Sequence, residues 1–95
     1  MIRDNAARGR FEMDVDGKTA FVSYRAKPDV IELLHSETPA ELRGRGVGTR
    51  LARGVFDLLR ERNAKVAVYC GFLIDFLRRH PEYRDLEAGA GSDRT

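Results

Sequence analysis

The sequence predicts an α+β domain in which the elements run β-β-β-α-β-α and form a mixed, mostly antiparallel sheet. Residues 10–26 alternate apolar and polar side chains around Asp16-Gly17, the dipeptide most typical of a two-residue hairpin turn. Residues 45–62 carry an apolar stripe at helical spacing. A short strand, 65–70, and a short helix, 72–79, complete the predicted order.

The hairpin is the most specific of the local predictions. It joins strands at Arg10–Val15 and Lys18–Ala26. Counting outward from the turn places Phe11 opposite Val22, so the apolar side chains of both strands share one face of the sheet.

A third strand is predicted for residues 30–38, after the turn signal Lys27-Pro28-Asp29. Its first apolar residues occupy both parities, which is typical of a central strand covered on both faces. Because a helix separates it from the fourth strand, 65–70, the two strands are expected to be parallel neighbours.

The composition limits the chain to one small domain. With 95 residues, of which 42% are hydrophobic, it is long enough for one core and too short for two. We therefore expect a single domain over residues 1–95, with flexible ends at 1–9 and 88–95.

Charge and cysteine content bear on partners and location. The net charge is +2, with 34% charged residues, which does not favour a nucleic-acid partner. The single cysteine, Cys70, excludes an internal disulfide and favours a reducing, cytoplasmic setting. The polar segment 1–10 predicts no signal peptide, and no apolar run predicts a membrane helix. The acidic residues show no metal-ligand spacing, so no metal is expected.

The stretch ELRGRGVGTRL, residues 41–51, is the strongest functional signal. It lies between a predicted strand and the N-terminus of the long helix, where unpaired N–H groups and the helix dipole favour an anion. Glycine leaves those N–H groups open, and neighbouring arginines add charge-assisted contacts. The sequence therefore predicts a phosphate or pyrophosphate site. Its residues are Arg43, Gly44, Arg45, Gly46, Val47, Gly48 and Thr49.

Two common phosphate loops do not match this stretch. A Walker A loop needs a lysine after its glycines, and none follows them here. A dinucleotide fingerprint needs glycine at its sixth position, whereas counting from Gly44 gives Thr49. Counting from Gly46 gives Leu51. The pattern R-x-x-G-x-G does match, beginning at Arg43.

That pattern, between a strand and a long helix, resembles the acyl-CoA pyrophosphate loop of the GNAT superfamily of N-acetyltransferases. Most of the chain resembles the minimal, single-domain members of that superfamily, which share H-T-E-V-P, C-P-F and R-x-H-P-E-Y motifs. The matching residues outside the loop are His35, Glu37, Pro39, Cys70, Phe72, Arg79, His80, Pro81, Glu82 and Tyr83. Gly71 stands where the family usually has proline.

The resemblance implies a small GNAT-like fold and an N-acetyltransferase that uses acetyl-CoA. It implies that the diphosphate lies on the amides of residues 44–49 and the pantetheine arm in the cleft where the third and fourth strands separate. The acceptor is then an amine of a small molecule or a protein. Its identity and the oligomeric state stay open, and the acceptor site is expected to be open or completed by a partner or second copy.

Three side chains are catalytic candidates. His35 and Glu37 share a face of the third strand just before the loop, where either could take a proton from an amine. Cys70 ends the neighbouring strand before a helix, a position that can lower a thiol pKa and that is expected to lie near His35. The transfer is therefore predicted to be direct or to pass through S-acetyl-Cys70.

Each candidate has a structural alternative. His35 and Glu37 can be solvated polar residues at a strand end, and Cys70 can be a small buried apolar residue. For the whole chain, one alternative is an acyl-CoA-binding or sensing module without turnover. Another is a small nucleic-acid binder with salt-dependent affinity, which leaves the glycine spacing unexplained.

Overall fold

In the computed structural model, which describes residues 2–88, five strands form one sheet in chain order. They are β1 (Arg3–Asn5), β2 (Arg10–Val15), β3 (Lys18–Ala26), β4 (Ile31–Glu37) and β5 (Val66–Val68). The helices are α1 (Val47–Glu61) and α2 (Gly71–Arg79), with 3₁₀ turns at Ala40–Leu42 and Pro81–Leu86. Only the β4–β5 pair is parallel among the described strands, so the predicted α+β class with a mixed, mostly antiparallel sheet is confirmed.

The predicted hairpin forms between β2 and β3. Asp16 and Gly17 both take positive φ, 51° and 77°, as a two-residue turn that matches the strand twist requires. Phe11 pairs with Val22, and both side chains are 0% exposed. Their shared face is the one on which α1 packs.

Both helices contribute to the core on that face. Phe56 of α1 and Leu73 of α2 are fully buried in the same cluster as Phe11. The ring of Phe56 stacks on that of Phe76 in α2, with 5.6 Å between centroids, and so joins the two helices. The opposite face of the sheet carries mainly polar side chains. Among the described residues, neither helix has the length and apolar character needed to cross a membrane.

A β-bulge decides which side chains of β4 face the helices. His35 and Leu33 pair with consecutive residues of β3, so Leu34 is an extra residue between them. The bulge shifts the alternation, and Leu33 and Ser36 both face the helices while His35 faces the other side. The prediction that this strand is covered on both faces is wrong, because Val30 precedes β4 and Leu34 is the extra residue of the bulge.

The N-terminal segment differs from the expected flexible stretch 1–9. β1 pairs with β2, and both Arg3 and Asn5 donate hydrogen bonds to the carboxylate of Glu12, whose residue is only 4% exposed. A three-residue strand shows no periodicity in the sequence, and it is held by these cross-strand contacts. Of the other end expected to be flexible, 88–95, only Ala88 lies within the described residues, where its N–H donates to the Val66 carbonyl at 2.7 Å.

Ile2 packs closely on α1 at Gly54, where any larger residue would displace its side chain. A Cβ on Gly54 would lie 2.6 Å from Cγ1 of Ile2. Gly54 therefore lets the N-terminal segment approach the helix, at a cost in helix propensity of about 1 kcal/mol relative to alanine.

Gly54→Ala tests this contact through its coupling to Ile2. In an Ile2→Ala background, Gly54→Ala should raise the free energy of unfolding by about 1 kcal/mol, the ordinary gain in helix propensity. In the wild-type background the new methyl displaces Ile2, and the gain should be cancelled. Urea unfolding of the four proteins in this cycle measures the coupling, and additive effects would contradict the contact.

Candidate functional site

The parallel pairing of β4 with β5 stops early, and this opens a crevice. The pairing runs from Ile31 to Leu33, and the last bond runs from the Tyr69 N–H to the Leu33 carbonyl at 2.9 Å. Beyond that point β4 continues to Glu37, whereas the neighbouring chain turns into α2 after Cys70. The two backbones therefore separate at the C-terminal ends of the strands, where the resemblance implied a cleft.

A cleft of about 430 Å³, open to solvent, lies at this separation. Its walls are residues 35–38 at the end of β4, Arg43 of the glycine loop, Leu51 of α1 and Phe72 of α2. The end of the third predicted strand and the glycine loop therefore meet at one cavity.

The start of α1 presents backbone N–H groups beside this cleft. Gly46 is the N-cap and has a φ of 73°, a left-handed conformation that favours glycine. The first helical hydrogen bond runs from the Arg50 N–H to the Gly46 carbonyl at 3.1 Å. The three preceding N–H groups, those of Val47, Gly48 and Thr49, have no acceptor within the helix. In the described chain this turn has no capping side chain and no acidic residue, so its positive dipole end is available to an anion.

Gly48 has a packing role that its spacing in the sequence does not reveal. A Cβ at Gly48 would lie 3.1 Å from Cζ of Phe72, closer than side chains ordinarily pack. Phe72 is 44% exposed and forms part of the cleft wall. The glycine therefore lets α2 place an aromatic ring at the start of α1.

The arginines around the glycines take three different positions. Arg43 lines the cleft, where the sequence predicted a phosphate contact. Arg45 pairs with Asp16 at the tip of the β2–β3 hairpin, with 2.7 Å between Nη2 and Oδ2. Arg50 lines a separate groove that also contains Gly54. Of the three, Arg43 is the one placed in the cleft wall.

His35 and Glu37 lie side by side at the exposed rim of the cleft. Nε2 of His35 is 3.4 Å from Oε1 of Glu37, and the side chains are 62% and 59% exposed. The ring of His35 meets that of Phe21 edge-on, with 6.3 Å between centroids. The pair can therefore exchange protons with a group that arrives from solvent. Within residues 2–88, no three His, Cys, Asp or Glu side chains form a metal-binding group.

The thiol of Cys70 contacts Ser36 instead of His35. Cys70 is the N-cap of α2, and its Sγ lies 3.3 Å from Oγ of Ser36. Because Ser36 and His35 are adjacent on β4, their side chains point to opposite faces of the sheet. Cys70 and His35 therefore lie at the same end of the sheet, as expected, but their side chains are not in direct contact. Sequence reasoning missed Ser36, since its orientation depends on the bulge and no sequence signal marks that bulge.

The pKa of the Cys70 thiol is affected more by its hydrogen bonds taken together than by burial. Burial raises the pKa of the thiol, but the Ser36 hydroxyl and the backbone N–H groups of Leu73 and Phe72 stabilise the thiolate, and the net pKa lies below the usual value. The residue is only partly buried. Cys70 therefore combines access with a larger thiolate fraction at neutral pH than an unperturbed cysteine has.

A helix N-terminus with unpaired N–H groups beside two parallel strands that separate defines an α+β domain with a candidate anion-binding site. The family model described as GCN5-related N-acetyltransferase matches residues 10–86. The chain belongs to this family.

Individual relatives agree with this assignment. The chain is 31% identical over 58 residues to Protein NATD1 of Bos taurus and 29% identical over 58 residues to Protein NATD1 of Homo sapiens. Each match covers 61% of this chain and 51% of the relative, so the chain spans about half the length of these relatives. A GCN5-like protein of Staphylococcus aureus, solved by NMR in solution, superposes with a TM-score of 0.68 at 28% identity, covering 92% of this chain and 86% of that chain. The predicted GNAT-like fold is confirmed.

Replacing Ser36 tests the contact that lowers the pKa of Cys70. Ser36→Ala should raise the thiol pKa, because a hydrogen bond to the thiolate is lost while burial remains. Alkylation by iodoacetamide should then be slower at neutral pH and equal to wild type at high pH, where both thiols are ionised. The rate is measured as a function of pH.

Two variants control this measurement. Ser36→Thr keeps the hydroxyl and should retain the wild-type profile. Ser23→Ala removes a serine of β3 whose hydroxyl donates to the His35 carbonyl, and it should have no effect. An unchanged profile in Ser36→Ala would show that the contact does not stabilise the thiolate.

Proposed function

We propose that this protein is an N-acetyltransferase that takes an acetyl group from acetyl-CoA and transfers it to an amine. One observation carries the proposal: the unpaired N–H groups at the start of α1 and the thiol of Cys70 flank the same cleft, the first beside Phe72 of its wall and the second beside Ser36. The N–H groups suit a diphosphate, and the crevice suits a thioester. Family membership alone leaves the acyl donor and the acceptor open.

The proposed binding mode uses backbone groups more than side chains. The N–H groups of residues 44–49 hold the diphosphate, and Arg43 in the cleft wall adds a charge-assisted contact. Beyond Leu33, the edge of β4 that faced β5 has no strand partner. The N–H and C=O groups of this edge that have no strand partner suit the amide groups of a pantetheine arm. Bound in this way, acetyl-CoA supplies an activated acyl group beside Ser36 and Cys70.

Cys70 is the proposed first acceptor of the acetyl group. Its thiolate attacks the thioester carbonyl, a bond forms between Sγ and the acyl carbon, and the sulfur of the donor leaves as a thiolate that takes up a proton. One thioester replaces another, so the exchange is close to neutral in free energy. The amine then attacks the acyl carbon, an N–acyl bond forms, and the Cys70 thiolate is restored. His35, beside Glu37 at the rim, takes up through a bridging water the proton that the amine loses, since its side chain points to the opposite face of the sheet from Cys70.

Intact mass measurement after incubation with acetyl-CoA tests the covalent route. Wild type should gain one acetyl group, which an added amine removes, and Cys70→Ala should gain none. His35→Gln should still gain the group but lose it to the amine on the order of 10²-fold more slowly, the usual effect of removing a general base. His80→Gln is the matched control, because His80 lies outside the cleft wall. Its ring packs against that of Phe76, with 4.3 Å between centroids.

The other outcomes separate the alternatives. Acetyl transfer to the amine without acetylated protein would contradict the role of Cys70 and indicate direct transfer with His35 or Glu37 as base. Calorimetric binding of acetyl-CoA without transfer to any amine would indicate a non-catalytic acyl-CoA-binding module. Absence of binding would contradict the whole proposal.

A further inference from the structure

Two ion pairs join the tip of the β2–β3 hairpin to the segment around the glycine loop. Nη2 of Arg45 lies 2.7 Å from Oδ2 of Asp16, and Nζ of Lys18 lies 3.7 Å from Oε2 of Glu41. Asp16 is the first residue of the turn and Lys18 directly follows it, whereas Glu41 and Arg45 lie on either side of Arg43. The tip therefore contacts this segment at two points.

The exposed part of the loop, residues 43–46, is held at both ends by buried side chains, those of Leu42 and Val47, and makes little contact in between. Gly44 and Gly46 take φ values of 79° and 73°, and a Cβ on either would meet no atom within 4 Å. Glycine in such a position loses more conformational freedom on ordering than any other residue. Arg45 stands between the two glycines, so its side chain provides an anchor within the exposed part of the loop.

The hairpin tip is a rigid point for that anchor. Strands β2 and β3 are paired without interruption. The pairing runs from Arg10 opposite Ser23 to Val15 opposite Lys18, directly beside the turn. The turn fixes the backbone of Asp16. Its carboxylate can therefore hold the side chain of Arg45 in one place.

We propose that Asp16 is a positioning residue of the pyrophosphate site: by holding Arg45, it fixes the glycine loop in the arrangement that presents the N–H groups of α1. This inference rests on the proposed use of acetyl-CoA. Arg43 lines the cleft while Arg45 turns away to the hairpin, which is the arrangement expected if Arg45 is an anchor and Arg43 the anion contact.

Positioning and simple charge predict opposite effects of removing Asp16. By charge alone, a carboxylate near a diphosphate repels it and occupies an arginine, so its removal would tighten binding. If Asp16 orders the loop, its removal transfers the cost of ordering to the binding step and weakens binding. The sign of the change in Kd therefore distinguishes the two roles.

Calorimetry with acetyl-CoA measures that sign. Asp16→Asn, which suits the positive φ of the turn, should raise the Kd roughly three- to five-fold, the upper range for an exposed ion pair. In an Arg45→Gln background, the same change should have no further effect. Asp29→Asn is the matched control, since it removes the same charge from the turn between β3 and β4, and it should leave the Kd unchanged. A Kd equal to the control or lower than wild type would overturn the inference.

NMR relaxation without acetyl-CoA separates this inference from the proposed function. Backbone order parameters of Gly44, Arg45 and Gly46 should fall from rigid values of about 0.85 in wild type to lower values in Asp16→Asn, and not in Asp29→Asn. Unchanged order parameters in Asp16→Asn would contradict the positioning role. A mobile loop in Asp16→Asn together with no acetyl-CoA binding by wild type would support the positioning role and contradict the acetyltransferase proposal.

Discussion

The end of the β4–β5 pairing at Leu33 is the constraint on which the rest of the site depends. Before that residue the two strands share hydrogen bonds above a common core. Beyond it the backbones separate, the inner edge of β4 is left without a strand partner, and Ser36 and Cys70 face each other at 3.3 Å. A parallel pairing extended to the end of β4 would close the crevice and pair the backbone groups that a ligand can use. The crevice therefore follows from an incomplete strand pairing.

The glycines that interrupt the start of α1 serve distinct physical needs. Gly46 supplies the left-handed cap from which the helix begins, and Gly48 lets Phe72 approach the first turn. The closing H-P-E-Y segment stabilises the helices behind this site, because the Tyr83 hydroxyl donates to Asp57 of α1 at 2.6 Å and its ring packs against the aromatic core. Residues distant from the crevice thus stabilise α1, the helix whose N-terminus lies beside the crevice.

Local signals in the sequence predict the elements, and long-range contacts decide the site. The Asp16-Gly17 turn predicts the bounds and register of β2 and β3 correctly. The apolar stripe predicts each end of α1 to within two residues of its observed position. β1 depends on the carboxylate of Glu12, and the partner of Cys70 depends on a bulge at Leu34. These features come from cross-strand geometry, which a single sequence does not encode locally. The same holds for the pairing of Arg45 with the hairpin tip.

An NMR titration of ¹⁵N-labelled protein with acetyl-CoA tests the central claim most directly. If the crevice and the N-terminus of α1 form one binding site, the largest amide chemical-shift changes should occur at Val47, Gly48 and Thr49. A second group of changes should occur at Ser36 and Cys70. Saturable binding with those amides unmoved and the shifts concentrated elsewhere on the surface would contradict the account.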